Sequence, residues 1–415
     1  MHDVPLVAVL PFALLLAAIA VLPLAASHFW ESNRNKAIVA GLLSLPILAY
    51  VGLAHAESLL HSGVEYVSFI ALLGALFVVA GGIHLDGDLE GRPEINAGIL
   101  LLGAVLANFV GTTGASMLLI RTLLRTNGQR HQRGHIPFFF ILIVSNCGGL
   151  LTPLGDPPLF LGFMRGVPFL WTLGLWPVWL GVIAYLLTVF YLVDRRAYRR
   201  EKARDIALDK SHVKPLRLRG AINIVFLLGI VVAVFLPSPW RELSMVGCAL
   251  ASVFLGPREA RKENAFSYAP IVEVAILFLG IFITMIPALA LLEHHGAELG
   301  LTTPTHYFFV TGGLSSVLDN APTYLAFLTA AQGLTVANSL PVDVVGVGAE
   351  FLVAISCGAV LMGANTYIGN GPNFMVKAIA EEARYEMPSF FGYAGRAIAV
   401  LSPVYVVIGL YLAFS

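Results

Sequence analysis

The sequence predicts an all-α polytopic membrane protein built from two inverted repeats. Apolar residues make up 58% of the 415-residue chain and charged residues only 12%, roughly half of what is typical of soluble proteins. Apolar stretches of about 20 residues, the length that spans a bilayer, recur along the chain. Two distant apolar stretches are also interrupted by similar clusters of Gly, Pro, Thr and Asn. These observations together indicate a membrane protein with an internal duplication.

Ten membrane crossings are predicted. They cover approximately residues 5–27, 36–55, 65–83, 136–164, 168–193, 220–237, 241–256, 269–292, 348–380 and 394–413. Two further apolar stretches, 95–123 and 303–333, are each divided by a polar cluster into halves that are short for a span. We interpret these two as re-entrant helical hairpins. The crossings 136–164 and 348–380 contain Gly and Pro in their middle, so we expect broken helices there.

The distribution of basic residues predicts the orientation. The segment 194–220 holds ten Lys and Arg and is the longest hydrophilic stretch, so the positive-inside rule assigns it to the cytoplasm. No Lys or Arg occurs between Lys262 and Lys377, which puts the second hairpin outside. Counting crossings from the basic segment puts both termini on the outer, periplasmic side of a cell inner membrane.

The basic linker, residues 194–219, divides the chain into repeats 1–193 and 220–415. Each repeat has five crossings and one hairpin, and an odd number of crossings gives the two repeats opposite orientations. GGLLTPLGDPPLF (148–160) aligns with GANTYIGNGPNF, which pairs Thr152 with Thr366. The hairpin sequence NFVGTTGASMLL (108–119) aligns with SVLDNAPTYLAF (316–327). Inverted repeats with discontinuous helices are typical of secondary transporters.

The polar residues in these breaks are candidate ion ligands. Gly and Pro leave backbone carbonyls without partners, and a small cation can bind them together with Thr, Asn and Asp side chains. Asp156 and Asp319 are the only carboxylates in the breaks, and a charged Asp near the bilayer centre costs about 2.5–3.5 kcal/mol. The alternative is that each caps a half-helix. We expect both to be functional, Asp319 being the stronger candidate because GDPP around Asp156 is also a good turn sequence.

These breaks resemble those of the ion transporter superfamily. It includes divalent anion/sodium and citrate symporters, arsenite permeases and NhaD-type sodium/proton antiporters. The resemblance extends from about residue 36 to 413. The Ser-Asn-Thr triplets at the symporter hairpin tips correspond to Gly111-Thr112-Thr113 and Asp319-Asn320-Ala321. The unwound T-P-x-G-x-P-P-N-like sequence corresponds to residues 152–158 and 369–373.

The resemblance implies a homodimer that works by an elevator motion, in which the hairpins and broken helices move against a scaffold. It also implies that each hairpin tip faces the broken helix of its own repeat, giving two cation/proton sites. The first would contain Thr112, Thr113, Asn146, Thr152 and Asp156. The second would contain Asp319, Asn320, Asn365, Thr366 and Asn370. Each site then has one carboxylate, Asp156 or Asp319, for sodium.

A carboxylate at a hairpin tip would repel a di- or tricarboxylate substrate and would favour sodium. The sequence therefore predicts a sodium(or lithium)/proton antiporter. The alternatives are a sodium- or proton-coupled citrate-like symporter, an oxyanion or arsenite permease and, from other classes, a channel or a membrane enzyme. We expect no cofactor, with sodium or lithium as the transported ion, and small cations, protons and the lipid bilayer as partners. The zero net charge gives no indication of nucleic acid, and the lack of a catalytic constellation predicts that the chain is not an enzyme.

Overall fold

The computed structural model describes residues 4–414, which are predominantly helical. The α-helices are α1 (Leu10–Ala25), α2 (Ser27–Trp30), α3 (Asn33–Ala54), α4 (Ala56–Gly81), α5 (Pro93–Thr126), α6 (His135–Ile143), α7 (Pro157–Met164), α8 (Trp176–Tyr198), α9 (Ala203–His212), α10 (Ile222–Ala233), α11 (Trp240–Leu255), α12 (Arg258–Glu263), α13 (Ala269–His295), α14 (Pro304–Ser315), α15 (Asn320–Asn338), α16 (Ala349–Met362), α17 (Gly371–Glu382) and α18 (Phe390–Phe414). Short 3-10 helices cover Leu6–Val9, Cys147–Leu151, Phe169–Leu175, Gly296–Leu299 and Gly363–Asn365. The strands are β1 (His84–Asp88) and β2 (Lys214–Arg219). The helical class is confirmed.

Within the described residues, seven helical segments are long and apolar enough to cross a membrane. They are Leu6–Ala25, Asn33–Ala54, Ala56–Gly81, Pro93–Thr126, Phe169–Tyr198, Ala269–Leu299 and Phe390–Phe414. Six coincide with predicted crossings, and Pro93–Thr126 corresponds to the predicted first hairpin. The predicted crossings 136–164, 220–237, 241–256 and 348–380 contain shorter helices. Two of these four are divided by the helix breaks, and the other two contain α10 and α11, of 12 and 16 residues.

Helix α5 folds back on itself at Gly111. This residue has φ 76° and ψ 156°, which glycine adopts without the steric cost of a side chain. Near the two ends of α5, the amides of Asn96 and Asn127 exchange hydrogen bonds of 2.9 and 2.8 Å. A straight helix would hold these residues about 46 Å apart, at about 1.5 Å per residue. The two arms of α5 are therefore antiparallel neighbours, with Thr112 at the tip.

Helices α14 and α15 form a second helical hairpin, joined through residues 316–319. The rings of Tyr307 on α14 and Phe327 on α15 lie 6.2 Å apart, edge to face, which holds the two arms together. Asp319 is the N-cap of α15, and its carboxylate accepts a hydrogen bond from the Ala321 amide at 3.0 Å. A carboxylate in this position satisfies one of the free amides of a helix start.

The two helix breaks have the same backbone conformation at two corresponding positions. Helices α6 and α7 are separated by residues 144–156, and α16 and α17 by residues 363–370. Thr152 and Thr366 are extended, with φ −139° and −138°. Asp156 and Asn370 are extended N-caps, with φ −142° and −154°. Pro157 accounts for the first of these N-caps, since proline disfavours the helical conformation of the residue before it and suits the first helical position.

The basic linker is ordered against the first repeat. It contains α9 and β2, and β2 pairs with β1 in an antiparallel two-stranded sheet. Arg217 pairs in register with Asp86, and Arg219 forms an ion pair with the same carboxylate at 3.0 Å. The connection between α4 and α5 therefore lies on the same side of the protein as the linker.

A buried ionic network closes the base of the first hairpin. Asp194 of α8 is fully buried and accepts a hydrogen bond from Arg130 at 2.5 Å. His135 Nε2 lies 2.9 Å from the same carboxylate oxygen, and Asn96 donates to the other oxygen at 2.9 Å. The network joins α8 to the base of the hairpin and to the start of α6.

Candidate functional site

Asp156 lies at the centre of the candidate site. Its side chain is 1% exposed, and it does not cap α7, although its backbone holds the N-cap position. The first two residues of α7, Pro157 and Pro158, have no amide hydrogen that the side chain could accept. The carboxylate is therefore available to other parts of the chain.

Three neutral side chains from three separate segments donate to this carboxylate. Thr112, at the tip of the α5 hairpin, donates to Oδ1 at 2.9 Å. Asn370, at the second helix break, also donates to Oδ1 at 2.9 Å. Asn320, at the tip of the second hairpin, donates to Oδ2 at 2.6 Å. Both hairpin tips and both breaks thus meet at one carboxylate.

The contacts follow the internal repeat. Asn320 is 208 residues after Thr112, and Asn370 is 214 residues after Asp156. The same offsets relate two supporting hydrogen bonds. Thr152 donates to the carbonyl of Asn108, and Thr366 donates to the carbonyl of Ser316, both at 2.5 Å. Each break is therefore attached to the hairpin of its own repeat by the same threonine bond.

One acceptor in the site is free within the part of the chain described. The side chain of Asn320 is fully buried, its amide nitrogen donates to Asp156, and its Oδ1 has no hydrogen-bond partner. Hard cations such as sodium bind oxygen ligands of this kind. Among residues 4–414 there is no cluster of three or more His, Cys, Asp or Glu side chains suited to a metal ion. The available ligands are thus one carboxylate and neutral oxygens.

Asp319 has a different environment from the one expected. It is half-buried, and its carboxylate caps α15 through the Ala321 amide. The neighbouring Asn320, rather than Asp319, donates to the central carboxylate. The geometry therefore reverses the order of the two candidates: Asp156 lies at the meeting point of the segments, and Asp319 is an N-cap beside it.

The remaining predicted residues support the site to different degrees. Asn146 accepts from Asn370 at 3.2 Å and donates to Asn373 at 2.6 Å, so it belongs to the second layer around Asp156. Asn365 donates to Ser316 and accepts from Tyr405, away from the carboxylate. Thr152 and Thr366 hold the hairpins, as described above. Thr113 is half-buried and does not join these contacts.

The expectation of two separate sites is not met by this arrangement. Asn320 and Asn370, both assigned to the second site, bind the carboxylate of the first. The reason is that the two helix breaks face each other in the structure, which the sequence of either break alone cannot reveal. The contacts define one joint site with Asp156 at its centre.

Two residues of this network were missed by sequence reasoning. Asn373 accepts from Asn146 and donates to the carbonyls of Gly363 and Thr366, which pins the second break. Asn108 donates to the carbonyl of Gly148 and accepts from the Leu151 amide, which pins the first. Both lie inside the aligned repeat motifs, so the motifs themselves were the available signal.

The long apolar helices make this an integral multi-pass membrane protein, and two helix breaks that meet at a buried polar site are typical of secondary active transporters. The chain belongs to a protein family described as "Putative citrate transport", whose family model matches residues 1–414. This membership fits the resemblance to the ion transporter superfamily and its citrate symporters. A comparison with curated proteins finds no match.

Proposed function

We propose that this protein is a secondary active transporter in which a cation and a proton compete for Asp156. One observation carries the proposal: the carboxylate is buried, and the three side chains that donate to it are all neutral. A buried charge without a counter-charge is costly. A bound proton or a bound cation removes that cost, and the two are mutually exclusive.

Sodium(or lithium)/proton antiport is the simplest function of such a site. The cation would bind the Asp156 carboxylate together with the free Oδ1 of Asn320, and a proton would replace it on the opposite side of the membrane. This needs no second substrate. The hairpins and helix breaks would move together as the mobile part of an elevator, within a homodimer whose termini face the outside of a cell inner membrane.

A citrate-like symporter is the second candidate, and the family description favours it. Citrate could not approach Asp156 directly, because two charges 4 Å apart repel by about 4 kcal/mol at an effective dielectric constant of 20. A cation between the two would turn this repulsion into attraction. In this version the cation at Asp156 enters together with the carboxylate substrate.

Purified protein in liposomes that contain a pH-sensitive dye tests the proposal. Antiport gives a pH change when sodium alone is added, whereas symport gives no response to sodium alone and instead gives sodium-dependent uptake of labelled citrate. Both responses should disappear in the Asp156→Asn variant. A sodium- or citrate-dependent response of unchanged size in that variant would contradict the role of Asp156.

A further inference from the structure

A polar cavity of about 490 Å³ lies away from Asp156, on the side of the basic linker. Its position follows from Asp88, which lines the cavity and pairs in register with Lys214 of β2. The other lining residues are Arg121, Leu124, Arg125, Gly128, Gln129, Arg133, Ala383 and Tyr385. Cavities of this size are typical of small-molecule sites.

Three arginines, Arg121, Arg125 and Arg133, bring positive charge to the cavity. Arg121 and Arg125 are one turn apart on the second arm of α5 and therefore share one face of it. The guanidinium of Arg133 lies 4.2 Å from the centre of the Tyr385 ring, and its Nη1 donates to the Gly128 carbonyl at 2.7 Å. These contacts fix the Arg133 guanidinium in place without neutralising it.

The positive charge of the cavity is only partly compensated. Within residues 4–414 neither Arg125 nor Arg133 has a carboxylate partner within 4 Å, and Arg121 pairs at 3.3 Å with the exposed Glu382. Asp88 contributes one further negative charge to the lining. Three guanidinium groups against these two carboxylates leave an excess of positive charge.

Three buried polar atoms of the cavity also lack partners in the described chain. They are Nε of Arg125, Oε1 of Gln129 and Oδ1 of Asp88. An unpartnered buried polar atom costs about 1–3 kcal/mol, so three of them in one cavity indicate a ligand that binds them. The free arginine nitrogen requires an acceptor on the ligand, and the two free oxygens require a donor.

We propose that this cavity binds a small soluble polyanion that also carries a hydrogen-bond donor, of the hydroxy-polycarboxylate class. Guanidinium forks bind carboxylates through paired hydrogen bonds, which accounts for the arginines. A ligand hydroxyl would donate to Gln129 or Asp88. Burial raises the pKa of the Asp88 carboxyl above its ordinary value, which makes its negative charge easier to neutralise beside an anion.

The cavity is separate from the central site but connected to it by two helices. Helix α17 begins after Asn370, which binds Asp156, and its 12 residues end just before Ala383 and Tyr385 of the cavity. At about 1.5 Å per residue this helix is roughly 18 Å long. The second arm of α5 likewise runs from Thr112 to Arg125. The inference rests on the cavity's own residues and does not depend on the ion bound at Asp156.

Calorimetric titration of the full-length protein with citrate, in nanodiscs of neutral lipid, tests the inference. The double variant Arg121→Gln/Arg125→Gln should bind citrate about tenfold or more weakly, because it loses two charge-assisted contacts. The matched control Arg196→Gln/Arg200→Gln changes two exposed arginines with the same spacing and should bind as the wild type does. Asp88→Asn should bind citrate several-fold more tightly, a gain that misfolding cannot produce.

The Asp156→Asn variant distinguishes the cavity from the central site. This variant should bind citrate in the cavity as tightly as the wild type does, even if it no longer transports. The inference is overturned if citrate binding survives the Arg121/Arg125 change, or if binding is lost in Asp156→Asn while the arginines are intact. It is also overturned if the wild type binds no citrate and instead shows arginine-dependent binding of anionic lipid in phosphatidylglycerol nanodiscs, because the ligand would then be a headgroup.

Discussion

Asn370 donates a hydrogen bond of 2.9 Å to Asp156, the residue that occupies the equivalent position in the other repeat. The two N-caps have the same extended backbone but different side chains, one an amide and one a carboxylate. Two carboxylates at this distance would repel each other strongly, whereas an amide can donate to the carboxylate. The pair thus contributes one negative charge to the joint site instead of two.

Replacing Asp156 should affect transport far more than replacing Asp319. Asp156→Asn removes the carboxylate on which the three donors converge, so we expect cation-dependent proton movement to be lost while the protein remains folded. Asp319→Asn keeps a good N-cap, since Asn caps helices about as well as Asp. Sodium-induced pH changes in liposomes measure both variants. Equal loss in the two would mean that Asp319 binds the ion as well.

Asn320 should contribute more to cation affinity than Asn370. Both donate to Asp156, but only Asn320 also presents a buried oxygen without a partner. We expect Asn320→Ala to raise the half-saturating sodium concentration about tenfold, equivalent to about 1.4 kcal/mol, and Asn370→Ala to raise it less. The measurement is the sodium dependence of transport in liposomes. An equal increase in both variants would show that the free oxygen is not a ligand.

Gly111→Ala should disrupt the tip of the first hairpin. Its φ of 76° with ψ of 156° is a region that other residues occupy at a cost of about 1–3 kcal/mol. The change should lower the unfolding temperature and, by displacing Thr112, reduce transport. Gly98→Ala on the same helix is the control: a Cβ there meets nothing within 4 Å, so stability should be unchanged or higher by about 0.5–1 kcal/mol. Equal unfolding temperatures of the two variants would argue against strain at the tip.

Close backbone packing at the second break predicts a contrast between two neighbouring glycines. A Cβ on Gly369 would lie 2.5 Å from the carbonyl oxygen of Gly363 and 2.8 Å from that of Ser315. A Cβ on Gly371 meets no atom within 4 Å. Gly369→Ala should therefore destabilise the protein and weaken transport, while Gly371→Ala should do neither. Thermal unfolding and liposome assays on the pair provide the check.

The buried pair Arg130–Asp194 should be essential to the base of the first hairpin. Removing one partner of a buried ion pair leaves an uncompensated charge and costs about 3–5 kcal/mol. We expect Arg130→Gln to lower the free energy of unfolding by about this amount. The double variant Arg130→Gln/Asp194→Asn should be less destabilised than the sum of the two single variants. Simple additivity in denaturant titrations would contradict a direct interaction between the two residues.

The positions at which the helices are interrupted could be predicted from the amino-acid sequence alone. Gly111, Pro157 and Pro372 act through their own backbone geometry, so their effects can be deduced from neighbouring residues alone. The correspondence between Thr152 and Thr366 could also be predicted, because the two aligned motifs are separated by a constant offset in the sequence. The membrane character followed from composition. The helix interruptions depend on neighbouring residues, and the membrane character depends on overall composition. A single sequence is therefore enough to predict both.

Which polar side chains meet depends on how the helices pack in three dimensions. Asp156 contacts Asn320 and Asn370 across 164 and 214 residues, because the second hairpin tip and the second helix break both pack against the first break. Asp319 and Asn320 are adjacent in sequence, but one caps a helix and the other reaches the central carboxylate. The orientation of a side chain depends on the packing of whole helices, so residue type and spacing alone could not separate these two roles.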